Sequence, residues 1–246
     1  MFKMRSRFTK TGDLVFISHL DLVRVFERAM RRANIPISYS QGFNPHPIMA
    51  FATALGIGVS SEAEYIDIQL DEEIDVNEFI SRLNAVLPEG LKLLKSQYVA
   101  PKAESLMAIL KRSIYIVKVD LETPMEEDAV RAQLSDFIKK EEIIEVKEKK
   151  KKKGKGGFRR DRDKNKVQET NIRPLIHELI IFSLNGQEML LKMNLAAGSV
   201  GNLKPEIVVK HLKELTEIPL NLESVRISRL ESLKEHNGQF VTLMEE

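Results

Sequence analysis

Between Ser38 and Ala52 the chain reads Ser-Tyr-Ser-Gln-Gly-Phe-Asn-Pro-His-Pro-Ile-Met-Ala-Phe-Ala, and from Leu55 to Leu70 it reads Leu-Gly-Ile-Gly-Val-Ser-Ser-Glu-Ala-Glu-Tyr-Ile-Asp-Ile-Gln-Leu. The second run ends in strict alternation, with Tyr65, Asp67 and Gln69 on one side and Ile66, Ile68 and Leu70 on the other. That is the pattern of a half-buried strand. The first run is a shaped loop. Pro45 and Pro47 fix φ and push Asn44 and His46 towards extended geometry, while Gly42 permits a change of sign in φ. A loop of this kind, fed into a sheet, presents Ser40, Gln41, Gly42, Phe43, Asn44 and His46 to a substrate or partner. A purely structural turn is the alternative.

Upstream of this stretch, Phe2 to Thr9 alternates Phe2, Met4 and Phe8 against Lys3, Arg5, Arg7 and Thr9, which predicts a first strand. Ser18 and Asp21 have the spacing of a capping box. They open a helix from His19 to about Ala33 that buries Leu22, Val23, Phe26, Met30 and Ala33 and aligns Arg24, Arg28 and Arg31 on another side. Asn34-Ile35-Pro36 ends it. Downstream, Asp75 and Glu78 cap a helix with Phe79, Ile80, Leu83 and Val86 inward, and Leu91 to Val99 forms a strand. The order strand, helix, strand, strand, helix, strand predicts a ferredoxin-like unit with both helices on one sheet face. The other face is then open and carries Lys3, Arg5 and Arg7.

Ala100-Pro101-Lys102 marks a boundary, giving domains over 1–100 and 101–246. After a helical turn at Leu106 to Leu110 the plan recurs. Ser113 to Leu121 alternates as a strand, and Thr123-Pro124 starts a helix. Ile143 to Lys147 is a further strand. Asn185-Gly186 joins a hairpin between Arg173–Leu184 and Gln187–Leu195, Ile207 to Leu215 is helical, and Leu222 to Leu230 is the last strand. The predicted fold is α+β, two tandem ferredoxin-like (βαββαβ) sandwiches with antiparallel sheets.

The chain has 246 residues, 43% of them hydrophobic and 30% charged, enough for a substantial core. It contains no cysteine, which excludes disulfides, thiolate zinc sites, cysteine nucleophiles and a cysteine-held iron–sulfur cluster within it. The start of the chain lacks the apolar region of a signal peptide, and no run has the length of a membrane span. A soluble cytoplasmic protein without membrane contact is expected.

The net charge of +2 hides an asymmetry. From Lys147 to Lys166 there are twelve Lys and Arg against three Asp and Glu, a local +9, and the remainder is −7. This segment holds Lys149, Lys150, Lys151, Lys152, Lys153, Lys155, Arg159 and Arg160 among glycines. A polycation of this composition binds phosphate backbones by counterion release. RNA or a ribosomal surface is the natural partner; a solubilising loop is the bland alternative. Arg5, Arg7, Arg24, Arg28 and Arg31 are further candidate phosphate contacts. Gly198, Gly201 and Lys204 resemble an anion-binding turn before a helix, though without the Gly-Lys-Ser/Thr ending of a Walker motif; a plain helix entry is the alternative. His19 and His46 are candidates for general acid/base work on a ribose 2′-hydroxyl, with structural roles as the alternative. His177 and His211 read as packing positions on a strand and a helix. The acidic residues Asp21, Glu62, Glu64 and Asp67 show no metal-ligand spacing, and no cofactor is expected in this chain.

Four motifs, Phe16-Ile17-Ser18-His19-Leu20-Asp21-Leu22, Gly42-Phe43-Asn44-Pro45-His46-Pro47, Gly58-Val59-Ser60-Ser61-Glu62 and Asn171-Ile172-Arg173-Pro174-Leu175-Ile176, resemble the radical SAM-linked protein family of bacteria. The resemblance implies partnership with a radical SAM enzyme, often one with a cobalamin-binding domain. The chain departs from the family pattern at Asn171, where family members tend to carry Asp, and in its expanded lysine run. A radical SAM cluster needs three cysteines, so such chemistry would occur on another polypeptide. The expectation is a non-catalytic, RNA-binding or substrate-presenting partner of that enzyme, in RNA modification or translation-related processing. The tandem plan also resembles CRISPR-repeat-processing endoribonucleases, which leaves a metal-independent ribonuclease using His19 and His46 as an alternative. A protein–protein adaptor without nucleic acid is the third.

Overall fold

In a computed structural model, residues 1–148 and 167–245 are described. The first half comprises β1 (Phe2–Lys10), a 3-10 turn at Gly12–Phe16, α1 (His19–Arg32), β2 (Met49–Phe51), β3 (Val59–Leu70), α2 (Val76–Asn84) and β4 (Leu91–Val99). The second comprises α3 (Leu106–Ile109), β5 (Leu110–Leu121), α4 (Glu127–Lys139), β6 (Ile144–Glu148), β7 (Val167–Asn171), β8 (Ile176–Asn185), β9 (Glu188–Ala196), α5 (Pro205–Leu215), β10 (Leu220–His236) and β11 (Gln239–Thr242). The result is a mixed α+β protein with a large, mostly antiparallel sheet.

Strand order is β4-β1-β3-β2 in the first half and β10-β5-β9-β8 in the second, with all these neighbours antiparallel. The expectation of two separate sheets is corrected. β3 and β10 pair in parallel through Val59–Ser61 and Ile227–Arg229, so one nine-stranded sheet runs through both halves among the described residues. The reason is an unfilled edge. β2 pairs only with the Ile66–Ile68 end of β3, leaving the Val59 end with unpaired backbone groups that a further strand can satisfy. β10 reaches it because it is 17 residues long. Register shifts at three places along β10 break its alternation, which is why its full length does not show as a period of two. β6 and β7 form a separate hairpin.

α1 and α2 pack on one face of the first half, where Met4, Phe8, Ile66, Ile68 and Leu70 meet Phe26, Met30, Phe79 and Leu83. The Phe8 and Phe26 rings stand edge to face, 4.9 Å apart. In the second half α4 and α5 cover Val117, Val119, Leu191 and Met193 with Val130, Leu134, Phe137, Val208 and Leu212. α4 starts at Glu127 rather than at Thr123-Pro124. His177 is exposed, not packed, while His211 is buried as expected.

The opposite face of the first half is closed, against expectation. Leu106, Leu110, Ala197, Leu243 and Met244 lie on it, packed with Ala52, Ala63 and Tyr65. Lys3, Arg5 and Arg7 are therefore engaged with protein. Lys3 Nζ donates to the Ala103 carbonyl at 2.9 Å, and Arg7 pairs with Glu231 at 3.0 Å. Arg5 is 4% exposed; it forks onto Asp67 at 2.8 and 3.0 Å and donates to the carbonyls of Leu243 and Glu104 at 3.2 Å. In the second half no described residue closes the outer face in this way, and Ile180 and Phe182 stand exposed on β8.

Candidate nucleic-acid interface

α1 is started by Ser18, whose Oγ accepts from the Asp21 N–H at 3.2 Å and donates to the Asp21 carboxylate at 2.6 Å. That bond first, and Arg24 second, hold the Asp21 carboxyl below its ordinary range. Leu22, Phe26, Ala29 and Met30 take the buried face, so Arg24, Arg28, Arg31 and Arg32 are left in solvent. Arg24 pairs with Asp21 at 2.9 Å, and Arg32 donates to the Val86 carbonyl. The side chains of Arg28 and Arg31 have no hydrogen bond or ion pair among the described residues. Arg28, Arg31 and Arg32 line a groove of about 520 Å³ with Val25, Val86 and Pro88. Of the sequence-predicted cations on α1, Arg28 and Arg31 are thus unpaired among the described residues, Arg24 is exposed but paired with Asp21, and Arg32, which sequence reasoning missed, joins the groove while bonded to Val86.

The Ser38–Pro47 loop folds back on itself. Tyr39 and Pro47 sit opposite one another, Ser40 N donates to the His46 carbonyl at 2.9 Å, and His46 N donates to Ser40 Oγ at 3.0 Å. At its tip Gln41, Gly42, Phe43, Asn44 and His46 are exposed, and Asn44 Nδ2 lies 3.3 Å from His46 Nε2. Gly42 adopts φ +130°. His19 is held elsewhere, edge to face on Phe51 at 5.1 Å, and no hydrogen bond joins it to His46.

The turn before α5 owes its glycines to packing. A Cβ at Gly198 would lie 2.2 Å from the Leu110 carbonyl oxygen, and one at Gly201 would lie 2.8 Å from Leu175 Cδ2; φ is positive at both. The turn packs on Leu110 of β5 and on Leu175, and Lys204 caps α5 without a side-chain hydrogen bond. Asn171 is also structural, since its Oδ1 accepts from Ile143 N and Arg173 N at 3.1 and 3.0 Å. Arg173 in turn donates to the carbonyls of Ile138 and Ile176. This motif closes the base of the β6–β7 hairpin. Glu145 ties the hairpin to α5 through His211 at 2.7 Å and Lys210 at 3.6 Å. Burial works against the Glu145 carboxylate, but the His211 bond and Lys210 outweigh it and lower its pKa. Lys149, Lys150, Lys151, Lys152, Lys153, Lys155, Arg159 and Arg160 lie outside the described residues.

Sequence reasoning missed a buried polar seam between the halves. Glu64 pairs with Arg229 at 2.8 Å, both under 5% exposed, and Arg229 also donates to the Tyr115 hydroxyl at 3.1 Å. Burial opposes the Arg229 charge, and Glu64 then Tyr115 more than offset it, raising its pKa. Lys10 is buried beside them, its pKa lowered by burial with Glu64 acting the other way. A signal existed: alternation puts Lys10 with Met4 and Phe8, and Glu64 with Ile66 and Ile68, on core-facing positions.

The class these features define is an α+β protein with a continuous sheet and an exposed run of arginines on α1. The chain belongs to the DUF2344 family, described as uncharacterized proteins conserved in bacteria, which matches residues 3–205. No curated protein sequence matches it. In fold it is similar to a chain of the crystal structure of a Cbf5-Nop10-Gar1 complex, with TM-score 0.50 and 10% identity over 93% of this chain and 48% of that one. It is similar to the same degree, TM-score 0.50 and 10% identity, to a chain of an H/ACA RNP bound to a substrate RNA containing 2′-deoxyuridine, over 94% of this chain and 47% of that one. The chain spans about half the length of the chains it matches in these structures. No described helix is long and apolar enough to cross a membrane.

Proposed function

We propose that this chain binds RNA and, without catalysing a reaction itself, presents it to a radical SAM enzyme. The observation that carries the RNA reading is the arginine stripe of α1. Guanidinium groups match phosphate oxygens in geometry and charge, and Arg28 and Arg31 face a groove with no protein acceptor among the described residues. Counterion release by the +9 segment adds a sequence-independent attraction. The shared fold of chains from RNA–protein complexes supports the reading without carrying it. The enzyme partner rests on the four motifs and on the missing cysteines, and the cytoplasm is the compartment this reading implies. Each half is read as a ferredoxin-like unit, the two joined edge to edge by β3 and β10.

The test is fluorescence anisotropy with a labelled structured RNA across a salt series. Arg28→Gln with Arg31→Gln should flatten the slope of log affinity against log salt by about 1.4–1.8, two phosphate contacts' worth. Replacing Lys149–Lys153 with Ser should weaken binding to unrelated RNA sequences alike. Affinity unmoved by either change would overturn the RNA reading in favour of a protein adaptor. Failure of the tagged chain to co-purify with an iron–sulfur polypeptide would remove the enzyme partner.

A further inference from the structure

The Gly58-Val59-Ser60 stretch takes no part in the α1 surface. It lies where the two halves meet, beside a cavity of about 660 Å³ between the start of β3, the 3-10 turn before α1, β10 and the first turn of α5. That volume is ordinary for a small-molecule site. Phe16 and Ile57 stand at it 70% and 65% exposed.

The exposure of Phe16 is built in. Lys10 Nζ donates to the carbonyls of Val15 and Ile17, on either side of it, at 3.3 Å each. Gly58 N donates to the Val15 carbonyl at 2.8 Å, from a backbone at φ +82°. A buried lysine and a left-handed glycine thus pin the backbone that holds an aromatic ring in water. Two charged groups complete the lining. Among the described residues Arg226 donates only to the main-chain carbonyls of Glu223 and Val225. Glu206 has no hydrogen bond or ion pair among the described residues.

An exposed aromatic ring with an apolar wall takes the face of a heteroaromatic base. An unpaired carboxylate accepts from base N–H groups, and a guanidinium with no carboxylate partner takes a phosphate through its remaining N–H groups. We infer that this cleft binds one nucleotide unit, its base against Phe16 and Ile57, its edge towards Glu206 and its phosphate on Arg226. A free nucleotide and a nucleotide within an RNA strand present the same chemistry. The inference stands on elements other than the exposed face of α1, so it can fail while the RNA reading survives.

Isothermal titration calorimetry of the full chain with AMP, GMP, CMP and UMP tests it, with uridine and inorganic phosphate as partial ligands. Binding of at least one mononucleotide is expected, weakened about tenfold by Phe16→Ala and by Arg226→Gln. It should stay unchanged in the Arg28→Gln, Arg31→Gln variant. Glu206→Gln should alter the preference among bases. The second arm uses a single-stranded RNA hexamer. Hexamer binding that needs Phe16 and Arg226, without mononucleotide binding, assigns the site to RNA and supports the inference. Neither ligand binding in a Phe16- and Arg226-dependent way overturns it. Thermal unfolding verifies that the Phe16→Ala chain, altered at an exposed ring, keeps its fold.

Discussion

Arg28 and Arg31 stand in solvent with no acceptor among the described residues, whereas Arg5 and Arg229, each 4% exposed, are bonded to carboxylates on neighbouring strands. The difference follows from the element, not the residue type. An amphipathic helix on a sheet has one buried stripe, so cations off that stripe remain wet. A strand has two faces, and either is lost to solvent if the chain returns to cover it. The segment through α3 and the residues around Leu243 do that to Arg5, and the meeting of β3 with β10 does it to Arg229. A cation so buried survives only with its donors satisfied, because desolvation costs several kcal/mol per ion. The wet cations are available to a ligand and contribute little to the fold; the dry ones do the reverse.

The largest effect that would break this comparison is at the seam. Arg229→Met leaves Glu64 buried with Lys10 as its nearest compensation, and urea unfolding should show a loss of about 3 kcal/mol, the low end for a broken buried pair. The double variant Arg229→Met with Glu64→Leu should recover most of that, since no orphan charge is left. In the same assay Arg28→Met should stay within about 0.5 kcal/mol of the parent. Equal losses at Arg28 and Arg229 would erase the distinction.

Much of this architecture was legible because β1, α1, α2 and β4 are regular. Ser18 and Asp75 cap helices where the spacing predicts, and Leu91 to Val99 is the strand expected. What was not legible depends on distant partners. No local pattern at Arg5 announces that residues 103–110 and 243–244 will cover it. The three-residue β2 is too short to show a period, and β10 hides its length behind bulges. Gly198 and Gly201 resemble an anion-binding turn in sequence, yet the Leu110 carbonyl and the Leu175 side chain are what a Cβ at each would meet. Of the candidate site, the arginines of α1 were readable as an exposed helical stripe. The cavity beside Phe16 was not, because its walls come from four separated segments.

A smaller effect sharpens the comparison on a carboxylate. The Glu145 pKa is lowered in the fold, so its contribution is complete above the ordinary glutamate range and is lost as pH falls through the lowered value. Glu145→Gln should therefore cost about 1–2 kcal/mol near neutrality, as for a charge-assisted bond. The gap to the parent should close on acidification, at a pH below the ordinary glutamate range. A gap that stayed constant with pH would mean that packing, not charge, holds the β6–β7 hairpin to α5.

The smallest stability effect is expected at the Ser38–Pro47 loop, which resembles α1 in being exposed but carries no charge cluster. Its closure depends on the main-chain bond from Ser40 N to the His46 carbonyl, on the Ser40 hydroxyl and on two prolines; among the described residues the Asn44 and His46 side chains bond only to each other, at 3.3 Å in solvent. Asn44→Ala and His46→Ala should thus each change unfolding free energy by less than about 0.5 kcal/mol. Gly42→Val should cost more, about 1–3 kcal/mol, because φ +130° strains any side chain even though a Cβ there meets nothing. If the alanine variants keep their stability and still lose RNA or enzyme binding, the loop tip is a contact surface. If they lose stability as Gly42→Val does, the side chains are props, and the loop belongs with the buried arginines as scaffold.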